Sequence, residues 1–141
     1  MKKLRILTLL FTVLTFGCKA QTTEKMAVTE AVNAYSNAGD TNNAAALDNL
    51  LDSNYRVVMN RLFGSKGVSI VSKTDYLKNI KSKEWGGDSR KLTIENIVMN
   101  GPTASAKVTF KGKKATIVSI LILIKEETGK WKLINDTPVF K

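Results

Sequence analysis

Any chemistry in this chain falls to few residue types. Its 141 residues include no His and a single Cys, Cys18. That removes His-based triads, imidazole general bases and the commonest zinc ligand. A lone Cys cannot close an internal disulfide. What remains for acid–base work is Tyr35, Tyr55, Asp75, Tyr76 and Asp136. A carboxylate enclosed by apolar residues has a shifted pKa and can serve as a base. Position speaks against both carboxylates. Asp75 stands three residues after Ser72, the spacing of a capping box at a helix start. Asp136 lies past the core of the last apolar stretch, where a solvated strand end is expected. No catalytic residue, metal site or organic cofactor is assigned.

The first residues differ in kind from the rest. Lys2, Lys3 and Arg5 precede an apolar run over residues 6–16. That run is shorter than the roughly 20 residues a bilayer span needs. A basic start followed by a short apolar run is the pattern of a secretory signal peptide, placed here at residues 1–17. Gly17-Cys18 resembles the end of a bacterial lipobox, although Thr15 and Phe16 stand where that motif prefers Leu and a small residue. Lipidation at Cys18 would anchor the protein to a membrane of the cell envelope, two or more chains giving stable attachment. Cleavage after Ala20 would instead release a soluble periplasmic or secreted protein. Residues 18–25 are read as a linker.

The mature chain reads as one domain over residues 26–141. Met26, Val28, Ala31, Val32, Tyr35 and Ala38 recur at three- and four-residue spacing, an amphipathic helix stopping at Gly39. The stretch Asp40-Thr41-Asn42-Asn43 can cap a shorter helix carrying Leu47, Leu50 and Leu51. Residues 55–63 and 68–71 read as a strand pair across a Gly-Ser-Lys-Gly turn, and Ser72 opens a third helix bearing Tyr76, Leu77 and Ile80. Residues 91–99, 104–110, 115–124 and 131–136 form a meander. Helices first and mostly antiparallel strands after give an α+β layout. In residues 117–124 both alternating sets are apolar, so the outer face of that strand needs a cover; a second copy is the simplest, making a homodimer through the sheet.

The ending Gly129-Lys130-Trp131-Lys132-Leu133-Ile134-Asn135, with the helical stretch 28–51 and the strand 103–108, resembles the nuclear-transport-factor-2-like superfamily. Within it the chain is most similar to the putative lumazine-binding family. The resemblance implies a cone, a curved sheet wrapped on three helices with a cavity at the open end. It also implies relatives that are binding domains and others that are ketosteroid-isomerase-like or dehydratase-like enzymes. On such a cone Tyr35, Tyr55, Met59 and Trp85 would line a ligand pocket. Trp85, in a Gly-rich loop, would be a lid or a partner contact. Met99 is expected as core filling and Trp131 as a core anchor.

The formal charge is +10, and Lys2, Lys3 and Arg5 contribute three of those charges. The basic residues are dispersed, with no concentrated face and no stacking elements, so nucleic acid is not expected as a partner. The reading is an exported, non-catalytic domain binding a small apolar or amphipathic molecule. The alternatives are an enzyme using a cavity carboxylate, or an interaction module working through its sheet.

Overall fold

The computed structural model describes residues 20–141 in full; helix α1 (Lys2–Asp40) begins before them. The signal peptide and Cys18 lie outside the described residues. Among the described residues no helix is long and apolar enough to cross a membrane. Helix α1 buries Val28, Ala31, Val32, Tyr35 and Ala38, the stripe its spacing requires. It already runs through residues 21–24, which the sequence suggested as linker. Glu24 holds that turn in place, accepting from Lys125 Nζ at 2.6 Å and from Trp131 Nε1 at 2.9 Å.

Helix α2 (Ala44–Leu50) starts at Asn43, whose side chain accepts from Ala46 N at 2.9 Å. The chain passes directly into β1 (Leu51–Asn60), turns through Leu62–Gly64, and returns as β2 (Val68–Ser72). Ser72 caps α3 (Lys73–Lys81), its Oγ accepting from Asp75 N at 3.2 Å and donating to Asp75 Oδ2 at 2.7 Å. Asp75 is a cap residue, as its spacing indicates. Strands β3 (Lys91–Asn100), β4 (Thr103–Lys111), β5 (Thr116–Lys125) and β6 (Trp131–Phe140) complete the meander.

One sheet runs β2-β1-β6-β5-β4-β3. Among the described residues only the β1–β6 pairing is parallel, which closes their first strand onto their last. The helices pack on one face, so that face carries the core: Leu51, Val57, Ala106, Val108, Phe110, Leu121, Leu123 and Leu133 are buried with the helical stripe. On β5, Ser119, Leu121 and Leu123 point inward, and Val118, Ile120, Ile122 and Ile124 point outward. Burial of one alternate set fixes the register, since a one-residue slip would turn the set out.

A bulge in β6 positions the candidate site. Asn135 pairs with Ile122 and Leu133 with Leu123, leaving Ile134 as the extra residue. Trp131 and Leu133 face inward by simple alternation, which would turn residue 136 outward. The extra residue shifts the phase by one, as bulges do. Asp136 therefore faces the interior and is only 7% exposed.

Candidate functional site

Beyond Asp136, β6 is no longer paired with β1, and Pro138 and Phe140 lie on this open end. There the sheet and helices diverge around a cavity of about 330 Å³. Its walls are mainly apolar: Val57, Met59, Ile80, Phe110, Ile117 and Pro138. Tyr35, Tyr76 and Asp136 form a polar floor, and Phe63 and Phe140, their rings 5.3 Å apart, stand at the edge.

Asp136 was expected as a solvated strand end; it is buried at the cavity floor instead. Tyr35 Oη donates to its Oδ2 at 2.8 Å, and Ser119 Oγ donates to its Oδ1. Tyr35 Oη lies 3.0 Å from Tyr55 Oη, and Tyr76 donates to it at 3.2 Å. One phenol from each of α1, β1 and α3 thus meets around a carboxylate from β6. Burial raises the Asp136 pKa above its ordinary value, opposed by the donors Ser119 and Tyr35 and by the charge of Arg90. Burial also pushes Tyr35 and Tyr55 well above the usual phenol range, and Tyr76 up to about 12. All three phenols therefore carry their protons at neutral pH.

Arg90 fixes the side of the site. Its Nε lies 2.5 Å from Asp40 Oδ1, its backbone N donates to Asp40 Oδ2 at 3.0 Å, and its guanidinium sits 4.6 Å from the Phe110 ring centre. Such a fixed, cation-on-ring geometry suits Arg more than Lys. Trp85 packs edge-on against Tyr76 with centroids 5.9 Å apart and lines the cavity. Asn42 Nδ2 holds its loop by donating to Ile80 O at 3.1 Å and Trp85 O at 2.7 Å. Gly86, at φ +76°, allows the close approach; a Cβ there would stand 2.4 Å from Gly39 O.

Of the four residues expected at a pocket, Tyr35, Met59 and Trp85 line this cavity. Tyr55 does not line the cavity; it meets the floor through its hydroxyl, beside that of Tyr35, and through its ring, whose centre lies 5.3 Å from that of Tyr76. Met99 is half-buried against the core, away from the cavity, and Trp131 is a buried anchor. Ser119 and Arg90 were not singled out. Ser119 had a signal, since a hydroxyl inside an apolar strand has to find a partner when buried. Among the described residues no three His, Cys, Asp or Glu side chains are grouped to hold a metal ion.

Residues 23–137 match the model of the family described as putative lumazine-binding. No curated protein matches the chain. Several solved structures share its fold. An NTF-2-like protein from Silicibacter pomeroyi superposes with a TM-score of 0.75 at 15% identity, over 86% of this chain and 98% of that one. One from Shewanella baltica gives 0.74 at 16%, over 85% and 95%. A protein from Shewanella frigidimarina described as a putative ketosteroid isomerase gives 0.60 at 20%, over 80% and 94%. The expected α+β cone is the observed fold.

Proposed function

We infer that this chain, which belongs to the putative lumazine-binding family, binds a small, largely apolar molecule bearing a polar group in the cavity above Asp136. The observation that carries this reading is the contrast between apolar walls and one polar floor. A pocket of about 330 Å³ sits at the low end of the range for small-molecule sites, roughly 300–1,000 Å³. Apolar walls supply burial energy, and the few polar groups fix orientation. The family label names lumazine, a flat bicyclic heterocycle. Tyr76, Trp85 and Phe110 offer flat surfaces for a ring of that class. Ala115→Trp, on the wall, would fill the space. Titrating wild type and Ala115→Trp with flat apolar heterocycles tests the reading. Binding in wild type and its loss in the variant support it; equal binding by both refutes it.

A second reading has an observation of its own. A buried carboxylate whose pKa is raised, beside a cavity, is the arrangement of a general base. Some neighbours in fold are described as putative ketosteroid isomerases. A proton-exchange assay on cyclic enones, with Asp136→Asn as control, tests it: no exchange above the control rules it out.

The surroundings of the site complete the proposal. Export is supported by the pattern of residues 1–16, and anchoring by Cys18. Pairing of two copies through the sheet is supported by the outward Ile120, 49% exposed, with Val98 and Val139 at 55% and 58% on the same face.

A further inference from the structure

A phenol hydroxyl has one hydrogen to give, and its oxygen can accept others. Tyr35 gives its hydrogen to Asp136 Oδ2. It has none left for its neighbours, so Tyr55 must be the donor in the 3.0 Å contact and Tyr76 the donor in the 3.2 Å contact. Ser119 gives its hydrogen to Oδ1. Every hydroxyl hydrogen of the cluster therefore points toward Asp136. Burial raises the Asp136 pKa, and the two donors and the nearby Arg90 charge act the other way, toward the carboxylate.

What the cluster has left to offer is lone pairs. A carboxylate has about four acceptor positions, and hydroxyls occupy two of them on Asp136. The Tyr76 hydroxyl donates to Tyr35, and among the described residues no side chain donates to its oxygen. Asp136 and Tyr76 both line the cavity. Taking the cavity as the binding site, we propose that its floor selects molecules presenting an N–H or O–H donor, or an ammonium group, at the inner end. Molecules whose buried end only accepts, such as ketones and ethers, are disfavoured. An acceptor pushed to the floor would meet lone pairs with no hydrogen between, and a buried acceptor left unpaired is costly. The same commitment of hydrogens weighs against enolisation, because an enolate oxygen needs a donor.

The test uses the full chain and an isosteric pair. Indole carries one N–H donor, and benzofuran replaces that group with an ether oxygen. Calorimetric titration is expected to show indole binding about ten-fold tighter, the size of one hydrogen bond to a charged group. In Asp136→Asn the ratio is expected to fall toward one, because an amide brings donors of its own. Should that variant not fold, the wild-type ratio still decides. Equal affinities, or tighter benzofuran, overturn donor selection and leave cavity binding standing. Binding of neither molecule, with other flat heterocycles still bound, also overturns donor selection; binding of nothing at all removes the cavity reading beneath it.

Discussion

Tyr35→Phe removes one oxygen and three hydrogen bonds. The Tyr35 hydroxyl donates to Asp136 and accepts from Tyr55 and Tyr76. A hydrogen bond to a charged group contributes about 1.5–3 kcal/mol, and a neutral one about 0.5–1.5 kcal/mol. Taking low values, because water can enter the cavity beside Tyr76 and Asp136, the loss is about 2.5 kcal/mol. Tyr55→Phe removes a single neutral contact and, on the same low values, should cost about 0.5 kcal/mol. The pair shares ring chemistry and burial, so their difference isolates the hub from the spoke. Urea unfolding of both variants reads it directly, with an expected gap of about 2 kcal/mol between them. If Tyr35→Phe costs no more than Tyr55→Phe, the hydroxyls do not converge on Tyr35, and the assignment of hydrogens to Asp136 fails with it.

Four other outcomes follow from named contacts. Because the folded state holds the Asp136 proton to higher pH than its ordinary value of 3.8, that group's contribution to stability falls as pH rises through the window above 3.8. Wild type should therefore gain stability relative to Asp136→Asn as the pH is lowered through that window in denaturation series; a difference that is flat with pH would contradict it. Gly86→Ala meets both a left-handed φ and the Gly39 carbonyl, and should cost at least about 2 kcal/mol by thermal unfolding. Ile120→Lys, on the outward face, should stay folded by circular dichroism and run as a monomer in light scattering if two copies pair there; an unchanged dimer would exclude that face. Metabolic labelling with palmitate should be lost in Cys18→Ser, and absence of label in wild type would exclude the anchor.

Most elements were legible because their signals are local. The helical stripe ending at Gly39, the capping stretch 40–43, the cap at Ser72 and the doubly apolar strand around Leu121 each depend on spacing within a few residues. Asp136 was misplaced for the opposite reason. Its direction depends on the extra residue Ile134, and that bulge is defined only when β6 is set against β5. The convergence of Tyr35, Tyr55 and Tyr76 likewise requires three elements to be packed before their hydroxyls meet. The early start of the packed helix was hidden in the same way, since Glu24 finds Lys125 and Trp131 a hundred residues further along. A polar residue inside an apolar run, Ser119, was the one sequence signal that an inward partner had to exist.

Methyl NMR with indole tests the central claim most directly. Met59 and Ile117 line the cavity, whereas Val98 and Ile120 lie on the opposite face of the sheet. The account predicts saturable shifts at the Met59 and Ile117 methyls, with those of Val98 and Ile120 unmoved. Shifts confined to Val98 and Ile120 would contradict it.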